Sequence, residues 1–220
     1  MHRSNYSLTP KLWTALDLVR QFLELGEQAV VFSSFRDPLD RLASRLHEAG
    51  VLAQVMDGRS APAVRAQLSA RFQRREVPLL LCGMDSCAEG HSWPQCRYVI
   101  LLAYSWAADK VKQSLDRIYR INSTRDVHVY VILCENSVDL RLAELDNEKA
   151  DSSELVLDGE LVLEPCQELN LLDLLEGVSR DYDPEAATVD EASLEARWPA
   201  LREALRSPTA GTAWGEQDEG

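Results

Sequence analysis

YVILLAYSWAADKVKQSLDRIYRINS, residues 98–123, decides how this chain reads. Its first six residues, Tyr98 to Ala103, form a continuous apolar run. A strand buried on both faces needs such a run, whereas a strand with one wet face alternates. The remainder predicts a helix over Trp106 to Ser123, on which Gln113, Arg117 and Arg120 recur at three- and four-residue spacing and so share one face. Two guanidiniums aimed the same way from a rigid element repel one another unless an anion lies between them, and their planar forks suit a phosphate. The alternative is an ordinary solvated helix whose arginines are neutralised by Asp109 and Asp116. The buried run ahead of the helix favours the anion, because open parallel sheets bind ligands beyond the carboxyl ends of their strands.

The same alternation of strand and helix extends in both directions. Leu12, Leu16, Val19 and Leu23 mark a helix over Lys11 to Leu25 that Gly26 stops. Gln28 to Phe35 (QAVVFSSF) predicts a strand, and Asp37-Pro38 opens a second helix with a capping residue, its buried stripe being Leu39, Leu42, Leu46 and Ala49. Gly50 ends it. Leu52 to Met56 predicts the next strand, and Asp57-Gly58-Arg59-Ser60 a turn into a third helix with Val64, Leu68 and Phe72 on one face. Strands are predicted again at Val77 to Cys82 and Val127 to Leu133, and Ser137 caps a helix through roughly Lys149. Strands alternating with helices predict an α/β fold with a parallel sheet covered on both faces.

Composition fits a globular chain. Of 220 residues 45% are apolar, no apolar run approaches membrane-spanning length, and the amino terminus lacks the apolar core of a secretory signal. No membrane partner and a cytoplasmic setting are expected. The formal charge of -13 is unevenly held: residues 1–150 carry 19 Lys and Arg against 18 Asp and Glu, residues 151–220 carry 4 against 18. The nearly neutral body leaves room for a local basic cleft, and nucleic acid is neither required nor excluded by charge. Three regions are expected: a lobe over 1–150, an acidic extension with helices near Leu169 to Leu175 and Leu194 to Leu205 over 151–206, and a disordered tail over 207–220. Like charge in the acidic region is expected to weaken any attraction of the body for phosphates.

The five cysteines are an odd number, and a reducing compartment leaves them as thiols. Cys82, Cys87, His91 and Cys96, spaced C-x4-C-x3-H-x4-C, do not match the short zinc knuckles, and Cys82 ends an apolar run as a small core residue does. No metal site of the chain's own is expected.

Taken in order, VVFSSF at 30–35, MDGRS at 56–60 with Arg65 and Phe72, GMDSCAEGHSW at 83–93, and the Trp106 to Ser123 segment resemble the carboxy-terminal RecA-like lobe of superfamily-two helicases. More narrowly they resemble the Swi/Snf-type DNA translocases. That family's tryptophan, its glutamine seven residues on, and the pattern Q-x-x-D-R-x-x-R-I are matched without a gap by Trp106, Gln113, Asp116, Arg117, Arg120 and Ile121. Departures mark a divergent member, expected from a bacterium or phage. Ala107-Ala108 replaces Asn-Pro, Tyr119 replaces His, Asn122-Ser123 replaces Gly-Gln, and of the family's Gly-Gly-x-Gly-x-Asn-Leu only Gly90 stands unchanged in Cys87 to Trp93.

The resemblance implies roles. Arg117 and Arg120 would be arginine fingers reaching ATP across a cleft between two lobes, with Gln113 orienting the same site and Asp116 fixing an arginine rotamer. Glu89, Gly90 and Ser92 would form the loop coupling nucleotide state to the grip on DNA. Ser33 or Ser34, Gly58, Arg59, Ser60, Gly83 and Met84 occupy the loops that in the family meet phosphates of double-stranded DNA without reading sequence. For Gly58 and Ser60, turn chemistry alone explains the residue types equally well. No G-x-x-x-x-G-K-[ST] occurs, and no strand ends in a paired acidic motif. ATP and Mg2+ would therefore be shared with an absent amino-terminal RecA-like lobe, encoded upstream or on a separate chain. The expected function is the second motor lobe of an ATP-dependent double-stranded DNA translocase or remodeller, inactive without its first lobe. Its alternative is a catalytically inert lobe that binds a partner or DNA. An unrelated α/β enzyme with its own site would need a nucleophile, base and oxyanion set, and none is found.

Overall fold

The computed structural model describes residues 8–88, 91–102, 113–118, 126–134 and 191–206. The chain divides into two compact units, 1–132 with 189–220, and 133–188. Of the second unit only Leu133 and Cys134 are among the described residues; the sheet and its core belong to the first.

Five strands, β1 (Ala29–Ser33), β2 (Ala53–Met56), β3 (Leu79–Gly83), β4 (Tyr98–Leu101) and β5 (His128–Val131), form one sheet in the order β2-β3-β1-β4-β5, with every neighbouring pair parallel. Parallel neighbours need crossovers: α2 (Arg36–Glu48) links β1 to β2 and α3 (Pro62–Gln73) links β2 to β3, while α1 (Pro10–Glu24) precedes β1. Alternation splits the core in two. Ala29, Val31, Leu79, Leu81 and Ile100 pack with the buried residues of α1 and α2, while Val30, Phe32, Leu80, Cys82, Val99 and Leu101 pack with Phe72, Trp93 and Ile118. Both faces of β1 and β3 are therefore dry, which is why their sequences read as unbroken apolar runs. This is the parallel-sheet architecture of a RecA-like lobe.

Helix ends coincide with the glycines. Gly26 and Gly50 take φ of +68° and +76°, and the amides of Glu27 and Val51 return to the carbonyls of Phe22 and Leu46 at 3.0 and 2.9 Å. Arg75 (φ 60°) performs the same reversal after α3 without a glycine, and its Nη2 donates to the Gly26 carbonyl at 3.0 Å.

Three local expectations are corrected. Asp37 does not cap α2: it lies inside the first turn and pairs with Arg41 at 2.7 Å, while Ser33 Oγ accepts the Phe35 N–H at 3.1 Å just ahead of the helix. The buried line of α3 is Arg65, Ser69 and Phe72, and Val64 is 45% exposed. The cause is polar, since Arg65 Nη1 donates to the Ser60 carbonyl at 2.6 Å and Ser69 Oγ accepts from Trp93 Nε1 at 2.9 Å. Thirdly, residues 113–115 are helical but 116–118 form a turn, so the single helical face drawn through Arg117 is interrupted. The amides of Arg117 and Ile118 reach back only three residues, to Ser114 and Leu115, and the Arg117 carbonyl accepts the Trp93 N–H at 2.7 Å.

The carboxy-terminal part of the first unit returns to α1. α4 (Glu191–Ala196) and α5 (Trp198–Leu205) divide at Arg197, with Pro199 in the first turn of α5. Leu201 and Leu205 join the core cluster of Leu12, Trp13 and Leu16, and Trp198 meets Trp13 edge to face at 6.1 Å. Arg45 pairs with Glu195 at 2.8 Å and Arg197 with Asp17 at 2.7 Å. Arg206 Nη2 and Arg202 Nε donate to the Glu48 carbonyl at 3.0 and 3.2 Å, placing cations at the carboxyl end of α2 where its dipole favours them.

Candidate functional site

Parallel strands all end at one edge, and here that edge gathers the residues after β1, β2 and β3. Ser33 is buried, its hydroxyl occupied by the Phe35 amide, and Ser34 next to it is exposed, its Oγ 3.4 Å from Met84 Sδ. Met84 is itself buried. Ser33 and Met84 thus shape the edge from within, and Ser34 faces solvent.

The turn after β2 is built around Asp57. One carboxylate oxygen accepts the Arg59 backbone N–H at 2.9 Å and the other accepts Arg59 Nε at 2.8 Å. From α2, Asp40 takes the far side of the same guanidinium, at 2.9 Å from Nη1 and 2.6 Å from Nη2. The Arg59 guanidinium holds the buried Asp57 carboxyl below the usual carboxylate range, with Arg36 assisting at longer range, against the opposing effect of burial. Gly58 and Arg59 are exposed, Ser60 is half-buried, and the Ser60 amide closes the turn on the Asp57 carbonyl at 3.0 Å. Gly83 leaves β3 beside this turn: a Cβ there would stand 3.3 Å from Asp57 Cβ.

The second group of predicted residues is seated on the sheet face that α3 covers. Ile118 is buried among Phe32, Leu80, Val99 and Trp93, which fixes the 113–118 segment against the sheet. Gln113 and Asp116 are exposed, and Arg117 is half-buried. Trp93 stands edge to face with Phe72 at 5.9 Å and stacks with His91 at 6.0 Å. Its neighbour Ser92 gives its carbonyl to Gln73 Nε2 at 2.6 Å. The bond from Trp93 N–H to the Arg117 carbonyl therefore joins the segment carrying Ser92 directly to the turn carrying Arg117. Glu89, Gly90, Arg120 and Trp106 lie outside the described residues. Sequence reasoning missed this backbone tie, and it missed Arg36, an exposed cation at the first position of α2 whose only signal was adjacency to VVFSSF.

Cys82 and Cys96 are buried free thiols, and burial pushes the Cys96 thiol up to about 12. Among the described residues no three His, Cys, Asp or Glu side chains are gathered to hold a metal ion, and no helix is long and apolar enough to cross a membrane.

Residues 13–122 match the helicase conserved C-terminal domain. Among curated relatives, helicase SWR1 of Saccharomyces cerevisiae is 27% identical over 194 residues, covering 85% of this chain and 13% of its own length. An uncharacterized ATP-dependent helicase of Mycoplasma pneumoniae is 26% identical over 138 residues, covering 62% of this chain and 13% of its own. The chain thus spans about a tenth of the length of the curated relatives it matches. The crystal structure of the C-terminal part of the Fun30 ATPase domain superposes with a TM-score of 0.60 at 16% identity, over 94% of this chain and 57% of that one. The Hef helicase domain of Pyrococcus furiosus gives 0.52 at 18%, over 62% and 28%.

Proposed function

This chain belongs to the family of helicase conserved C-terminal domains, and from that premise we propose that it is, in Swi/Snf-type form, the second motor lobe of an ATP-dependent translocase or remodeller of double-stranded DNA. ATP and Mg2+ are held mainly by a Walker-type first lobe, and ATP supplies the phosphoryl group that is transferred. Across the cleft, Arg117 and Arg120 stabilise the charge developing on that group, and their fixed planar donors need no reorganisation when it forms. Gln113 orients the site and Asp116 holds an arginine rotamer. Glu89, Gly90 and Ser92 relay the nucleotide state to the DNA-facing edge, where Ser34, Gly58, Arg59, Ser60 and Gly83 meet backbone phosphates, with Ser33 and Met84 supporting that edge from beneath.

The observation that carries this reading is the 2.7 Å bond between the Trp93 amide and the Arg117 carbonyl. It ties the segment carrying Ser92 to the turn carrying Arg117, which supports a lobe in which phosphate chemistry on one side alters grip on the other.

The purified 220-residue chain is expected to hydrolyse no ATP with or without duplex DNA. Adding a Walker-containing first lobe should produce DNA-stimulated turnover. Hydrolysis by the chain alone would overturn the two-lobe reading, and silence after addition would favour an inert binding lobe.

A further inference from the structure

The proposed function uses the backbone of Trp93 and leaves its side chain, and that of Ser69, without a role. Ser69 stands on the covered face of α3 with 4% of its surface exposed, and Trp93 is fully buried. A serine in the buried line of a helix costs stability unless its hydroxyl is bonded, and a buried indole N–H needs an acceptor. Each meets the other's need, since Trp93 Nε1 donates to Ser69 Oγ at 2.9 Å. The helicase pattern that Cys87 to Trp93 resembles ends in leucine, which has no N–H to give, so this bond belongs to the chain and not to the pattern.

What the bond fixes is the backbone beside it. Residues 91–93 belong to no helix or strand, so no ladder of backbone bonds sets their position. The indole does. Phe72 meets it edge to face at 5.9 Å, His91 stacks on it at 6.0 Å, and Ser69 fixes its rotation. From the same residue the amide donates to the Arg117 carbonyl at 2.7 Å, and the carbonyl accepts the Cys96 N–H at 3.0 Å. Across the 2.7 Å bond, Arg117 and Ile118 sit in a turn whose own amides reach back only three residues, and Ile118 is buried in the same cluster as Trp93. A displaced indole therefore moves the Trp93 amide, and the amide moves the turn that carries Arg117.

We propose that Ser69 and Trp93 are positioning residues: the hydrogen bond between their side chains holds the Arg117 turn in the geometry that phosphoryl transfer requires. The role rests on the second-lobe reading and extends it to two side chains that the reading does not use. A bond that served stability alone would leave turnover unaffected wherever the protein stays folded.

Two measurements on Ser69→Ala test it, with Leu201→Ala as a control that loosens the lobe at α5, in the other core cluster. In the isotope-labelled full chain, the low-field amide resonance that a 2.7 Å bond gives Trp93 should move upfield in Ser69→Ala and stay in place in Leu201→Ala. In the protein assembled with a Walker-containing first lobe, Ser69→Ala should lower kcat for DNA-stimulated ATP turnover about tenfold to a hundredfold, with KM for ATP near wild type. Leu201→Ala should lower the melting temperature at least as far and leave kcat unchanged. An unmoved Trp93 resonance, or wild-type kcat in Ser69→Ala, would overturn the positioning role while leaving the second-lobe reading intact. Equal loss of kcat in Leu201→Ala would also overturn it, because destabilisation alone would then account for the loss. An assembled wild type that hydrolyses no ATP would remove the second-lobe reading and this role with it.

Discussion

Asp57 is buried at the tip of β2 with both oxygens engaged, one by the Arg59 backbone and one by its side chain. This makes the turn sensitive to acid. Because Arg59 depresses the folded-state pKa of Asp57, the resulting stability is present above the unfolded value, about pH 4, and is lost as pH falls through the lower folded value. Asp57→Asn should cost about 1 kcal/mol at neutral pH, discounted because the partner guanidinium is half exposed, and should flatten the acid limb of stability against pH in urea titrations. Wild type and variant losing stability in parallel below pH 4 would contradict it. The sequence signalled a turn at Asp57-Gly58-Arg59-Ser60, but not that Asp40, 19 residues from Arg59, would hold the far side of its guanidinium. Nor could it choose between Ser33 and Ser34. What separates them is where β1 ends: Ser33 is its last residue, on a strand covered on both faces, and Ser34 lies beyond it in solvent.

Among the elements, β1, β3 and β4 were legible because a strand dry on both faces must be apolar throughout, and VVF, LLL and VIL leave no other use for such runs. α1 and α2 were legible from their leucine spacing. α3 was misread at its face because its buried line is held by an arginine and a serine whose partners, the Ser60 carbonyl and Trp93, lie elsewhere in the fold. The turn at 116–118 was missed for a related reason: its carbonyl is used by Trp93, a partner that no local propensity records. α5 was visible as an amphipathic helix, but its destination on α1 was not, since the ties between Arg45 and Glu195 and between Asp17 and Arg197 cross 150 and 180 residues. Leu201→Ala should therefore destabilise the lobe itself, by about 2–3 kcal/mol, through lost burial and the cavity left against α1. Thermal melting followed in the far ultraviolet checks this. An unchanged midpoint would mean that α5 adds nothing to the core.

At the scale of the molecule, the sheet order, the two-sided core and the tie between the Ser92 segment and the Arg117 turn are the frame on which the proposed second-lobe role rests. The partition of charge, nearly balanced over residues 1–150 and strongly acidic beyond, is compatible with the proposed contact of the body with phosphates. The central claim is that the arginines act in trans. The direct measurement is ATP turnover of the assembled two-lobe protein carrying Arg117→Ala or Arg120→Ala, with melting temperature and nucleotide-free DNA affinity taken on the same samples. The account predicts turnover lower by about a thousandfold, with lysine rescuing poorly because a point charge cannot reproduce the planar fork, and with folding and DNA affinity near those of wild type. Near-normal turnover in both variants, with at most about 1 kcal/mol lost in stability, would show that these arginines only neutralise neighbouring charge on the surface of the lobe, and would contradict it.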